Sequence, residues 1–298
     1  MKMNRNFAAL LLLLLVGCKP SDHGLIANDG SLTLVADGYQ FTEGPASDSL
    51  GNVYFTDQPN NRILKWDSST GKVSVYLEPA GRANGLYVDR QGHLVAAADE
   101  VFQLWKIDRN KQHEILAANF EGRKFNGPND LWIDKQGGIY FTDPYYQRPY
   151  WERTEKEIEQ ERVYYLSPDK KEIRVAADNL VQPNGIIGSA DGTTLYIADI
   201  GDNKTYAYQI AENGELVNRR LFAGMGSDGM TLDEHGNLYL TGDGVTVLDA
   251  TGKKILHIPV PEEWTANVTF GGKDQKTLFI TAMDALYSLP MKVKGTRF

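Results

Sequence analysis

The sequence predicts an all-β, six-bladed β-propeller. Three patterns carry this: a short alternating β-run occurs six times, a polar segment stands some ten residues ahead of each run, and the last repeat is one strand short. Self-similarity at a period of about 40–50 residues is the mark of propeller blades or solenoid units.

The six runs are GNVYFTD from Gly51, GHLVAAAD from Gly92, GGIYFTD from Gly137, TTLYIAD from Thr193, GNLYLTG from Gly236 and KTLFITA from Lys276. Each follows a turn rich in Gly, Asp or Lys and carries β-branched and aromatic residues at strand period, so each is read as a strand. Ahead of them stand EGPASD from Glu43, NGLYVD from Asn84, NDLWID from Asn129, NGIIGSAD from Asn184, DGMTLD from Asp228 and NVTFGGKD from Asn267. Third and fourth strands follow in most copies, such as RILKWD and KVSVYLE from Arg62 and Lys72. Six units of four antiparallel strands make a six-bladed propeller.

The last repeat ends near Lys294 after three strands, which leaves its outer edge unpaired. Residues 31–36, SLTLVA, precede Glu43 much as VSVYLE precedes Asn84. The N-terminal strand is therefore expected to complete the sixth blade and cover its edge, making residues 31–298 one propeller domain.

Aligning the repeats places Glu43, Asn84, Asn129, Asn184, Asp228 and Asn267 at one position, the start of each innermost strand. Inner strands surround the propeller axis, so these acids and amides would ring one mouth of the central channel. Buried acids and amides need partners to offset their desolvation, and a cation supplies one. An all-oxygen set without His or Cys suits Ca2+, with Mg2+, Mn2+ or Zn2+ as alternatives. The competing reading is that the Asn-Gly and Asp-Gly pairs at Asn84, Asn184 and Asp228, with Glu43-Gly44, are only turn residues.

The motifs EGP at Glu43, PNDL at Pro128, QPNG at Gln182, DGM at Asp228 and FGG at Phe270 resemble the SMP-30/gluconolactonase/luciferin-regenerating family, in order and at blade spacing. That resemblance implies metal ligation by Glu43, Asn129, Asn184 and Asp228, leaving Asn84 and Asn267 as supporting or channel residues. It also implies hydrolysis of a lactone, with a phosphotriester or other ester as the alternative substrate and a non-enzymatic ligand-binding propeller as the alternative role. A bound metal would polarise the lactone carbonyl. Asp228 is the candidate catalytic group, as base toward water or as nucleophile.

If the ring residues begin the inner strands, the loops between second and third strands return to the same mouth. The longest is in the third blade, from about Pro144 to Glu161; its Tyr145, Tyr146 and Trp151 are expected to wall the substrate pocket, and its TEKEIEQE run has helical propensity. Asn129 would also touch substrate. Arg123 and Lys124, in the loop before Asn129, are candidates for binding an anionic group. Where the animal sugar lactonases carry an arginine two residues before the metal-binding Asn, this chain has Gly127. Asp57, Asp99, Asp143 and Asp199 end the second strands of four blades and read more readily as turn residues than as mouth residues. His23, His93, His113, His235 and His257 all fall outside the ring motifs.

The start of the chain reads as a targeting signal, residues 1–17. Lys2 and Arg5 precede an apolar run from Phe7 to Val16, too short to span a bilayer. Leu15-Val16-Gly17-Cys18 resembles a bacterial lipobox, so Cys18, the only cysteine, would be acylated and head a linker over 18–30. The protein would then be anchored in a bacterial envelope membrane, facing the periplasm. Removing the two bases of this segment takes the net charge from −8 to −10. That acidity argues against nucleic acid as a partner, and no obligate protein partner is evident. The expected partners are a small lactone or ester and the membrane.

Overall fold

The computed structural model describes residues 24–296. They form six four-stranded antiparallel sheets. The first blade runs Thr42–Ser47, Val53–Asp57, Arg62–Trp66 and Val73–Leu77, from the axis outward. Blades two to five repeat that order, with inner strands Ala83–Val88, Leu131–Ile133, Pro183–Gly188 and Met230–Leu232. The sixth begins with Thr265–Gly271 and is completed by Thr33–Ala36, which pairs with Ala285–Pro290. The N-terminal strand closes the ring, as residues 31–36 predicted.

Burial explains the strand composition. Neighbouring blades cover both faces of each second strand, so Leu94–Ala98 and Ile139–Asp143 are buried throughout and carry apolar residues on both sides of the pleat. The core is accordingly six seams between adjacent blades. Val95, Leu104, Leu131 and Phe141 join blades two and three; Trp132, Tyr140, Ile197 and Tyr206 join three and four; Phe55, Leu64, Phe279 and Leu286 join the last blade to the first. Fully burying one such side chain contributes about 1.5–3 kcal/mol, which holds each blade to its neighbours.

Two local expectations change. The stretch read as linker to residue 30 is docked from Leu25 on: Leu25 is buried, its carbonyl accepts Lys292 N–H at 2.7 Å, and Ile26 bridges to Met291. The apolar Leu25 has a seam of the last blade to fill. The TEKEIEQE run forms bends and no helix, because Ile158 is fully buried while Glu157 accepts the Lys124 N–H at 2.7 Å. These tertiary contacts outweigh a modest intrinsic propensity. Among the described residues no helix is long and apolar enough to cross a membrane. Cys18 and the apolar run before it, like His23, lie outside the described residues.

Candidate active site

The ring residues are aimed inward by a defect repeated in the inner strands. Glu43 pairs with Thr56 but Ala46 pairs with Tyr54, so one extra residue is accommodated between them. The same bulge lies between Ala83 and Leu86, spanning Asn84, between Pro183 and Ile186, spanning Asn184, and between Thr265 and Asn267. In blades three and five the ladder starts only at Leu131 and Met230, two residues past Asn129 and Asp228. A bulge breaks the alternation of side chains and re-aims one of them. Threonine hydroxyls hold the displaced backbone: Thr56 Oγ1 donates to Asn84 O at 3.0 Å, and Thr281 Oγ1 to Asn267 O at 3.2 Å.

The glycines that follow ring residues answer the turn reading. Glu43, Asn84 and Asn184 lie inside strands. A Cβ on Gly44 would stand 2.1 Å from Asn84 O, and one on Gly229 would stand 1.9 Å from Asn267 Cγ. Glycine is required at these positions because the inner strand there abuts the ring residue of the next blade.

A second clamp sets the loops that lead into the ring. Buried Asp57 accepts the N–H groups of Gln40 and Phe41 at 3.0 and 3.4 Å. Asp143 accepts those of Asn126 and Gly127 at 2.9 and 2.8 Å, and Asp199 those of Val181 and Gln182, both at 2.8 Å. The donors stand three and two residues before Glu43, Asn129 and Asn184. These strand-end aspartates therefore position the site from behind it.

The structure brings four of the six ring residues into one connected group. Glu43 Oε2 accepts Asn267 Nδ2 at 3.1 Å, and the carboxyl of Asp228 meets both Glu43 and the Asn184 amide. Asn184 Nδ2 donates to Tyr146 Oη at 3.0 Å, and its buried Oδ1 has no hydrogen-bond partner among the described residues. Asn84 and Asn129 are buried at the corresponding places of their blades. Burial and then the charge of Asp228 push Glu43 well above the usual carboxylate range. Asp228 is pushed up to about 6, mainly by burial, while the Trp264 indole and the Asn184 amide hold it down.

Two groups were not singled out from sequence. Asp130 is buried on the channel side of the ring, accepts Leu131 N at 2.8 Å, and is pushed up to about 7 by burial. It lines a cavity of 320 Å³ with Gly44, Leu86, Ile186 and Asn267. The signal for it was the break in pattern, Asn-Asp where four other blades have Gly after the ring residue. Trp264, 37% exposed, donates its Nε1–H to Asp228 Oδ2 at 2.6 Å. It lies outside every repeat motif.

Of the expected pocket residues, Tyr146 reaches the ring, and Tyr145 lies in the same lid beside Trp151, with ring centroids 5.7 Å apart. Trp151 is buried against Phe102 at 4.9 Å, so it braces the lid from beneath rather than facing the mouth. Arg123 turns away as well: it bridges back to Phe120 and pairs with exposed Glu121 at 3.4 Å. The tight Phe120–Arg123 turn, with Glu121 and Gly122 both at positive φ, sends it outward.

Among the described residues no group of three or more His, Cys, Asp or Glu side chains forms a metal cluster. The donor set is mixed acid and amide. Its fit to a hard cation rests on the acceptors: two crowded carboxyls and an amide oxygen with no donor opposite it. Those are the electrostatics an oxygen-ligated divalent ion neutralises.

Comparison with known proteins agrees with this architecture. Residues 41–284 match the SMP-30/gluconolactonase/LRE-like region. The chain is 31% identical to a gluconolactonase of Zymomonas mobilis over 89% of its own length and 82% of that protein's. It superposes on a gluconolactonase structure from Xanthomonas campestris with a TM-score of 0.85 at 31% identity, covering 92% of this chain and 96% of that one. A calcium-binding protein, regucalcin, from Agrobacterium tumefaciens shares the fold at a TM-score of 0.75 and 20% identity, over 90% and 96% of the two chains. The chain belongs to the SMP-30/gluconolactonase/LRE-like family.

Proposed function

We propose that this protein is a divalent-metal-dependent hydrolase that opens a lactone at the ring mouth. The acceptor-rich cluster of Glu43, Asn184 and Asp228 carries the reading, and the gluconolactonase relatives supply the reaction class. Glu43, Asn129, Asn184 and Asp228 would hold the ion, and calcium is the favoured one because every donor is oxygen. When bound, it would polarise the lactone carbonyl and stabilise the developing oxyanion.

The chain's own groups do the rest. Trp264 holds Oδ2 of Asp228 at 2.6 Å and so orients the carboxylate, whose other oxygen, beside the ion, would take a proton from the attacking water. Burial pushes the Asp228 carboxyl up, and a dication beside it would lower it again, keeping it ionised as a base near neutrality. Water adds to the carbonyl carbon, the ring C–O bond breaks, and the proton passes to the leaving alkoxide, giving a hydroxy acid. Tyr146, anchored on Asn184, walls the mouth, and Asn267 keeps Glu43 in place.

The test is turnover of a lactone panel by the full chain, before and after chelation and with calcium, magnesium, manganese or zinc restored. Activity should vanish with chelator and return with a divalent ion. Full activity in chelator would remove the metal from the reaction; no lactone turnover with cation binding intact would move the reading to another ester or to a binding role. We further propose, on the sequence alone, a lipid anchor at Cys18 facing the periplasm; a Cys18→Ser protein that stays in the membrane fraction would overturn it.

A further inference from the structure

Of the four blades with an aspartate at or just past the end of the second strand, one breaks the clamp. By register, Asp99 should accept the N–H groups of Gly81 and Arg82, three and two residues before Asn84. Instead Gly81 and Arg82 take positive φ values of 62° and 45°, and Glu100 N–H donates to Gly81 O at 3.1 Å. The buried Asp99 carboxylate faces the lid. It accepts Tyr150 Oη–H at 2.5 Å and lies 3.7 Å from Arg148 Nε. Arg82, freed from the clamp, stacks over the Tyr150 ring at 4.4 Å.

The same aspartate closes the space above Gly127. A Cβ there would stand 3.0 Å from Asp99 Oδ1 and 3.0 Å from Trp151 Cη2. A side chain at position 127 would press on both of these groups, whereas the lid that covers it supplies cations of its own. The lid has three. Arg153 donates to Asn126 O and covers Phe102 at 3.6 Å, and Lys156 is paired with Glu161 at 2.6 Å. Arg148 alone makes no side-chain hydrogen bond among the described residues. Its buried Nε has no hydrogen-bond partner among the described residues, only the 3.7 Å ion pair with Asp99; 23% of its side chain is exposed, and it packs 5.3 Å over Tyr146, the residue bonded to Asn184. Its charge is also felt at Asp228, which it helps to hold down.

A guanidinium presents a planar fork of donors matched to a carboxylate. The titratable side chains of the ring and channel, Glu43, Asp130 and Asp228, are acids, so Arg148 supplies the positive side chain an anionic group would need. We propose that Arg148, presented by the lid and tethered by Asp99, binds an acidic substituent of the substrate, so that the lactones preferred here carry a carboxylate beyond the scissile ester. The substrate class rests on the lactonase reading above; Asp99 acts as a positioning residue through Arg148.

The experiment compares the γ-lactones of glucaric and gluconic acid, which differ by a carboxylate in place of a hydroxymethyl, in wild type, Arg148→Gln and Arg148→Lys. The ratio of kcat/KM, acidic over neutral, should exceed one in wild type and drop about tenfold or more in Arg148→Gln, as expected for loss of a charge-assisted hydrogen bond. Lysine should restore part of it. Asp99→Asn should lower the same ratio, with no further loss in the double variant. An unchanged ratio in Arg148→Gln, or an equal fall on both lactones, overturns the proposal. Should neither lactone be turned over, calorimetric binding of glucarate against gluconate decides independently: wild type must favour glucarate and Arg148→Gln must lose that preference, and equal binding in both proteins overturns it.

Discussion

On the face where the inner strands end, Asp48, Asp89, Asp134 and Asp233 each accept two backbone N–H groups of their own hairpin turn, all within 3.0 Å. On the face where those strands begin, Glu43 and Asp228 crowd one another, and Asp99, Asp130 and Asp143 are buried as well. The hydrogen bonds of the first face are local, so its acids tie turns shut. Asp99, Asp130, Asp143 and Asp228 all stand above the usual carboxylate range, burial being the largest cause in each, while turn aspartates such as Asp191 and Asp249 are held below it by hydroxyl donors. One face uses acids to tie turns; the other also buries and crowds acids whose charge a bound cation would offset.

The largest expected effect separates the faces. Asp228→Asn should cut lactone turnover about a hundredfold or more, while the metal-free protein unfolds at the same or a higher temperature, because one of two crowded acids is gone. Asp233→Ala should do the reverse. Asp233 also accepts Asn237 Nδ2 at 2.7 Å and Tyr239 Oη at 3.0 Å, so its loss should cost about 1–3 kcal/mol with kcat/KM per folded molecule unchanged. Kinetics and thermal melts of both variants suffice; a Asp233→Ala protein that loses activity without stability would erase the contrast.

The clamp aspartates sharpen it through pH. Asp143 is pushed up from 3.8 to about 7, with burial the dominant cause against the pull of the Gly127 and Asn126 N–H groups. A folded-state value above the unfolded one means the folded protein holds the extra proton. Stability from this group is present below about 3.8 and lost as the pH climbs through about 7. Relative to wild type, Asp143→Asn should therefore gain stability across that window and differ by a constant amount above it. Denaturation midpoints at several pH values check this, and a difference with the opposite slope would contradict it.

The smallest effect belongs to Arg123→Ala. Its pair with Glu121 leaves the side chains 47% and 68% exposed, so stability should shift by less than about 0.5 kcal/mol and lactone kinetics should not move. A raised KM would return Arg123 to the substrate site.

Much of this was legible in the chain because it repeats. The six strand runs, the closing strand over residues 31–36 and the six ring positions are local patterns, fixed by strand period and by the spacing between copies. Misreadings came where one blade leaves the pattern. The lid sequence shows its aromatics but not that Trp151 faces inward while Tyr146 faces the ring, since both follow from packing against Phe102 and Asn184. The glycines after Glu43 and Asp228 look like turn residues until the neighbouring blade is seen to touch them.

By itself, then, the amino-acid sequence determined the blade count, the way the ring closes and which residues stand at the mouth. Periodicity and motif spacing are encoded residue by residue and need no partner to be read. The tertiary structure alone decided that Trp264 holds Asp228, that Asp130 lies beneath the ring, and that Asp99 serves the lid while Asp57, Asp143 and Asp199 serve their own loops. The roles of Trp264, Asp130 and Asp99 depend on atoms from a neighbouring blade or loop, and those of the other aspartates on residues some sixteen to eighteen positions away, brought into contact only by folding.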